Sequence, residues 1–184
     1  YLEYRLQDMI ISTIDASYAG SEGIREAFAK STDILSNFRM VEEKQIVEKL
    51  FKQINSNTGL GIYGLSDIIN NLKNNIVDTI IITDNAELYI IEIKCGRCNH
   101  TQEKIVEQQK VIPTKTEFQN IPCTSCDSMD VMVSDQDLID YLNLLSAKTG
   151  SKLEVISGTS EHGLMLSNIG KVGAILRYNP NYSS

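Results

Sequence analysis

The chain has 184 residues, 42% hydrophobic and 22% charged, with a formal net charge of −7. That length gives one or two domains of ordinary globular composition, and the acidic balance excludes broad affinity for phosphate backbones, which needs clustered Lys and Arg. No apolar run approaches the roughly 18 residues that span a bilayer, and no charged-then-apolar leader opens the chain; Tyr1 is not a natural start, so a fragment or processed chain is expected.

Residues 2–14 mix apolar and charged residues without a clean period, and Asp15–Gly20 reads as a turn. Ser21 can cap a helix whose apolar side is Ile24, Ala27, Phe28, Ile34 and Leu35. A second helical pattern, Val47, Leu50, Phe51 and Ile54, ends in the breaker-rich Asn55–Gly59. Between them, Asn37–Met40 carries no strong turn signal. From Gly64 helix and strand alternate. Ser66 is placed as the cap of a short helix with Leu65, Ile68, Ile69 and Leu72 inward. Val77–Ile82 is a β-branched run of the kind found in a doubly covered strand. Asp84-Asn85 makes a turn, and Leu88–Ile93 is a strand running towards Cys95. Asp130–Val133 returns as a strand. Ser134 is read as opening the clearest helix, with Asp135 and Asp137 in its first turn, a Leu138, Leu142 and Leu145 stripe, and Gly150 closing it. Leu153–Ile156 is a strand, Thr159 or Ser160 caps a short helix, and Gly173–Tyr178 is the last strand. The alternation predicts an α/β fold, an α/β/α layer with a mixed sheet and helices on both faces.

All four cysteines lie in two Cys-x2-Cys pairs, Cys95/Cys98 and Cys123/Cys126. Each such turn aims two sulfurs at one metal, and two turns complete a closed four-thiolate site of the kind zinc takes, with iron as the chemical rival. Asn99 and Asp127 follow the pairs, residues that tolerate the left-handed conformation needed next. Two disulfides or four unrelated thiols are the alternatives. A closed site leaves no position for water, so the metal is expected to be structural. Residues 99–122 are mostly polar, and a minidomain of about 35 residues is too small to fold without a staple. Its ends must lie close together, as an insertion between two strands requires. His100 is a spare ligand that four thiolates leave unneeded. Reduced paired thiols fit the cytosol.

The sequence assembles no nucleophile, base and oxyanion site. His162 reads as a surface or capping residue. Gly59-x-Gly61-x-x-Gly64 matches the dinucleotide fingerprint as a bare pattern, but a helix and turn precede it where a strand should be. No P-loop, Gly-x-Ser-x-Gly elbow or His-Glu-x-x-His occurs.

Leu35–Tyr63 resembles the entry to the C-terminal domain of class I peptide chain release factors of archaea and eukaryotes. Asp15–Gly23 (DASYAGSEG) is similar to the end of that family's middle domain, Val77–Ile82 to one of its strands, and Glu154–Tyr178 to its Gly-Gly-Ile-Leu-Arg-Tyr ending. The four-cysteine insertion resembles the archaeal branch, which carries a zinc-ribbon-like minidomain. Lys171 and Ala174 stand where glycines are usual, and Glu161-His162-Gly163 departs from the commoner motif. The resemblance implies residues 1–38 as the tail of the middle domain and 39–184 as a C-terminal docking domain, with the zinc-ribbon-like insertion at 94–129. It implies a translation termination factor whose Gly-Gly-Gln loop and decoding domain lie outside this sequence, so this chain is expected to be non-catalytic. Implied partners are a GTPase of elongation factor 1-alpha type, an ABC-type ribosome recycling ATPase and the ribosome, with no membrane role and a cytoplasmic location. The implied partner-binding positions are Gly173, Ile175, Leu176, Arg177 and Tyr178; an inner strand is the plainer reading of Ile175 and Leu176, and Arg177 and Tyr178 are the stronger interface residues. The alternatives are a Pelota-type ribosome rescue factor, whose relatives lack the four-cysteine insertion, a stand-alone nucleic-acid-binding zinc ribbon, and a redox protein. Phe118 is the only aromatic in the cysteine segment, which disfavours single-strand stacking.

Overall fold

A computed structural model describes residues 10, 12–56 and 58–180, and the chain divides into two compact units, Tyr1–Ile46 and Val47–Ser184. The expected pattern over residues 2–14 lies for the most part outside the described residues. In the first unit, Ser17 donates its N–H and its hydroxyl to the Glu26 carboxylate at 2.9 and 3.1 Å, and Lys30 Nζ reaches Asp15 O at 3.0 Å. These bonds tie residues 15–17 to the helix α1 (Ser21–Asn55).

The two helical patterns expected on either side of Asn37–Met40 are one helix. No Gly or Pro interrupts residues 36–46, and Glu, Lys and Gln there propagate a helix well. No break occurs at residue 38 or 39. The proposed apolar side of its first half faces outward: Ile24 and Phe28 are 70% and 75% exposed. Helical spacing marks a stripe, but only a partner surface buries it.

The second unit holds a four-stranded sheet in the order β1 (Gly61–Tyr63), β7 (Val172–Leu176), β2 (Val77–Thr83), β6 (Lys152–Ile156). It is mixed: β2 runs parallel to β6, while β7 is antiparallel to both its neighbours. On one face, Ile80 and Ile82 of β2 and Val172, Ala174 and Leu176 of β7 pack against α2 (Leu65–Lys73) and α4 (Leu138–Thr149). On the other, the missing side chain of Gly173 admits Leu50 of α1 and Leu166 of α5 (Glu161–Ser167). Helices therefore cover both faces, as the alternation predicts.

The strands flanking the cysteines do not join that layer. β3 (Leu88–Cys95) pairs antiparallel with β4 (Thr101–Glu107) and β5 (Val131–Asp137) in a separate three-stranded sheet. Strand alternation divides β3 between two cores. Ile90 joins the main core, while Ile91 and Ile93 form a second core with Val106 and with Val111 of α3 (Val111–Gln119).

Three capping expectations change. Helix α1 already includes Ser21, and Ile24 N–H donates to Gly20 O at 3.1 Å, so Ser21 is its first residue and not its cap. Ser134 and Asp135 lie in β5, opposite Glu92 and Ile91, and helix α4 is capped by Asp137, whose Oδ1 accepts from Ile139 N–H at 2.8 Å. Cross-strand pairing outcompetes an early helix start here. Helix α2 starts at Leu65 after Gly64, so Ser66 is inside it and caps nothing. Ser160, by contrast, caps α5, accepting from Gly163 N–H at 3.0 Å, and Gly150 closes α4 in the left-handed conformation.

Candidate metal centre

Each Cys-x2-Cys turn is built by the same two backbone hydrogen bonds. Asn99 N–H donates to Cys95 O at 3.0 Å and Asp127 N–H to Cys123 O at 2.9 Å. In turn, Cys95 N–H donates to His100 O and Cys123 N–H to Ser128 O, both at 2.9 Å. Closing the ring requires a left-handed residue after the second cysteine, and Asn99 and Asp127 supply it with φ of 57° and 56°. The first turn continues β3 into β4; the second follows α3 and leads into β5. Gly96 lets the Asp130 side chain pack against the turn: a Cβ there would lie 2.2 Å from Asp130 Oδ2 and push that carboxylate aside. Its N–H donates to Asp130 O at 2.8 Å, fastening the first turn to the start of β5.

The four Sγ atoms lie within 4.8 Å of one another. Cys95 and Cys126 sulfurs are 3.6 Å apart, and Cys98 and Cys123 sulfurs 3.7 Å. Four thiolates about 2.3 Å from a tetrahedral metal lie about 3.8 Å apart along each edge, so the donor set fits a metal ion. The short pairs join one turn to the other and are far beyond the roughly 2.05 Å of a disulfide; all four thiols are free. Cys95 and Cys123 are buried while Cys98 is exposed. His100 contributes its carbonyl to the turn and is not among the four clustered ligands.

Acidity differs across the cluster. The backbone N–H of Cys98, with help from that of Arg97 and against burial, lowers the Cys95 thiol to about 7. At Cys126 the backbone hydrogen bond from Ser128 favours the thiolate, but the neighbouring sulfurs and burial outweigh it, and the thiol is pushed up to about 12. The close sulfurs share protons by hydrogen bonding, which favours the thiolate at Cys95 and the thiol at Cys126, and a bound cation would favour the thiolate form of all four.

Behind the cysteines the second core continues with Tyr89, Phe118, Val131 and Val133, and Lys104 Nζ sits 5.0 Å from the Phe118 ring centroid. Glu103 of β4 links this sheet to the main body: Lys73 Nζ of α2 is 2.7 Å from its Oε2, and Tyr141 of α4 donates to its Oε1 at 3.1 Å. Burial and the Glu103 charge raise the Tyr141 hydroxyl.

The terminal-strand candidates fall into two groups. Gly173, Ile175 and Leu176 are buried in β7, between β1 and β2. Arg177 and Tyr178 follow the strand and are exposed, but the Arg177 guanidinium is engaged within the fold, with Nη1 donating to Asn75 O and Nη2 to Thr149 O and Gly150 O. The glycine pattern at 59–64 joins α1 to β1 and α2, with Gly59 and Gly64 at positive φ; among the described residues a helix and not a strand precedes it. His162 lies in the first turn of α5. Sequence reasoning missed Asp130 and Glu103, since both act through residues distant in the chain; the Asp137 cap was visible only as one of two acidic residues before the leucine stripe.

Residues 40–180 match the family described as eRF1 domain 3. Peptide chain release factor subunit 1 of Methanocaldococcus jannaschii is 32% identical over 180 residues, which is 97% of this chain and 43% of the relative. The chain thus spans less than half the length of such relatives. Among solved structures, the C-terminal domain of a peptide chain release factor from Methanosarcina mazei has the same fold, with a TM-score of 0.77 at 24% identity, covering 90% of this chain and 99% of that one. A model of ribosome-bound archaeal Pelota and ABCE1 shares it at a TM-score of 0.50 and 18% identity, over 90% of this chain and 34% of that one.

Proposed function

This chain belongs to the eRF1 family of peptide chain release factors, and on that premise we propose that it is the partner-docking portion of a translation termination factor. The observation that carries the reading is the match to domain 3 of that family across residues 40–180. No Gly-Gly-Gln occurs in the sequence, so peptidyl-tRNA ester hydrolysis is assigned to other parts of the full-length factor and these residues bind without catalysing. The partners are a translational GTPase of elongation factor 1-alpha type, an ABC-type recycling ATPase and the ribosome, in the cytoplasm. Among the described residues no helix is long and apolar enough to cross a membrane, and the fold neighbour described as ribosome-bound Pelota with ABCE1 supports a ribosomal setting. A Pelota-type rescue role has only that fold likeness behind it, whereas the relative at 32% identity is a release factor.

Cys95, Cys98, Cys123 and Cys126 hold zinc in this reading. Zinc there would accept bonds from four thiolates and offset half of their negative charge, and a closed cage of this kind is structural. The cysteine turns position those sulfurs, and the second core supports them.

The test is association of the purified, metal-loaded chain with the GTPase at micromolar concentration. Binding is expected, and its absence from a folded chain would overturn the docking role. Metal analysis is expected to return about one zinc per chain for a single four-thiolate site.

A further inference from the structure

We propose that Cys98 is a site of oxidative modification by peroxides, and that its oxidation exchanges the metal staple of the segment from Cys95 to Cys126 for two disulfides, Cys98–Cys123 and Cys95–Cys126. The proposal goes beyond the docking role and rests on the four-thiolate metal reading of these cysteines.

The four sulfurs are not equivalent. Cys95 and Cys123 are only 1% and 6% exposed, Cys126 is intermediate, and Cys98 is open to solvent within a run of exposed residues from Gly96 to His100. Oxidation of a cysteine follows its access and its thiolate character. A ligating cysteine is already deprotonated, so access decides, and Cys98 is the sulfur an oxidant in solution reaches first.

Spacing then selects its partner. Cys98 Sγ lies 3.7 Å from Cys123 Sγ, and Cys95 Sγ 3.6 Å from Cys126 Sγ. Both short separations cross from one turn to the other. Ser125 N–H donates to Cys123 Sγ at 3.5 Å and holds that sulfur in place. Closing a pair from this distance to the roughly 2.05 Å of a disulfide needs a shift of about 1.6 Å. Cys123 is thus shielded from a peroxide but within reach of Cys98.

The chemistry balances on two sulfurs and one peroxide. The Cys98 thiolate attacks a peroxide oxygen; an S–O bond forms, the O–O bond breaks, and hydroxide leaves. The Cys123 thiolate attacks Cys98 Sγ; the S–S bond forms, the S–O bond breaks, and a second hydroxide leaves. Two electrons pass from the sulfurs to the peroxide, and solvent protons turn both hydroxides into water. A second peroxide oxidises Cys126 and Cys95 in the same way. Each disulfide withdraws two of the four thiolates that hold a metal, so the metal is lost. The crossed bonds join residues 25 and 31 apart, loops long enough to restrain the unfolded segment, whereas a bond inside one turn restrains little.

The test treats the metal-loaded chain with hydrogen peroxide, reads zinc release with a chelating dye, and maps the disulfides after unreduced trypsin digestion. Trypsin cuts after Lys94, Arg97, Lys104, Lys115 and Lys148, so Cys95 and Cys98 fall on peptides 95–97 and 98–104 while Cys123 and Cys126 share 116–148. With about one peroxide per chain, 98–104 should be joined to 116–148 while 95–97 stays free; with excess, both short peptides should be joined to it as zinc is lost. Joining of 95–97 first overturns Cys98 as the point of entry. Short peptides joined to each other, or fragment spectra linking Cys98 to Cys126, overturn the pairing. Thiols and zinc that survive excess peroxide overturn the modification. Amide protection between Cys95 and Asp130 should persist in the oxidised, zinc-free chain and vanish when a reductant is added with chelator; its loss on oxidation alone overturns the exchange of staples. A chain that carries no zinc as purified overturns the metal reading, and the peptide map still judges the pairing by itself.

Discussion

Removing the metal from the four-cysteine site should unfold one part of the second unit and spare the rest. The part at risk is the segment from Cys95 to Asp130 together with α3. Its buried core is Ile91, Ile93, Val106 and Val111. Each such side chain contributes about 1.5–3 kcal/mol of burial, whereas structural zinc contributes on the order of 10–16 kcal/mol of apparent binding free energy. The metal therefore matches or exceeds that whole core, and without it four crowded sulfurs remain with nothing to neutralise them. The main body has its own large core around Ile80, Ile82, Leu138 and Leu142. It also keeps a grip on the start of β3 through Ile90, whereas the part-exposed Lys73, Glu103 and Tyr141 cluster is too weak to hold β4 by itself. Residue-resolved amide hydrogen exchange, with and without excess chelator under reducing conditions, reads this directly. Protection should vanish between Cys95 and Asp130 and persist in β2, β6, β7 and α4. Cooperative loss of protection across the entire chain, or no loss in the cysteine segment, would refute the division of labour argued here.

Three further outcomes follow from the geometry. In the metal-free chain the unfolded cysteine segment should titrate its thiols together near the ordinary 9.0 by thiolate absorbance, and a first ionisation near 7 at Cys95 with a last near 12 at Cys126 would show that the folded arrangement persists without metal and would contradict the unfolding argued above. The signs oppose: the Cys95 contribution to the folded form is present above 9.0 and lost as pH falls through about 7, whereas the Cys126 contribution is present below 9.0 and lost as pH rises towards 12. Gly163→Ala places a Cβ 2.0 Å from Ser157 O, a backbone atom, whereas Gly173→Ala meets the movable Leu50 methyl at 2.4 Å; thermal melts should rank the first as the more destabilising, at about 3 kcal/mol or more against about 1–2. Asp137→Ala should cost about 1 kcal/mol by removing the α4 cap, and a melting curve superimposable on the parent would reject that cap.

Much of the metal centre is legible because its construction is local. A Cys-x2-Cys turn closes through hydrogen bonds spanning a few residues, so the spacing and the following Asn99 and Asp127 already specify it. Convergence of the two turns could be inferred from the count of ligands, since neither pair completes a site by itself. The same locality made the Gly150 stop, the Ser160 cap and the β-branched core of β2 readable. Local signals misled where distant pairing competes with them. Ser134 and Asp135 look like a helix start, but lie alongside Glu92 and Ile91 as a strand.

The amino-acid sequence by itself therefore determined the alternation of helix and strand, the four cysteines that cluster, and the turns that bring their sulfurs together. Only the tertiary structure decided that β3 leaves the main sheet for one of its own, that Glu103 ties that sheet to α2 and α4, and that Arg177 spends its donors on two helix ends. Each of these depends on which surfaces meet across tens of residues, and no short-range propensity encodes that. At the cysteines the backbone of a few neighbouring residues writes the geometry; beyond Leu176, the meaning of an arginine depends on carbonyls contributed by two other helices.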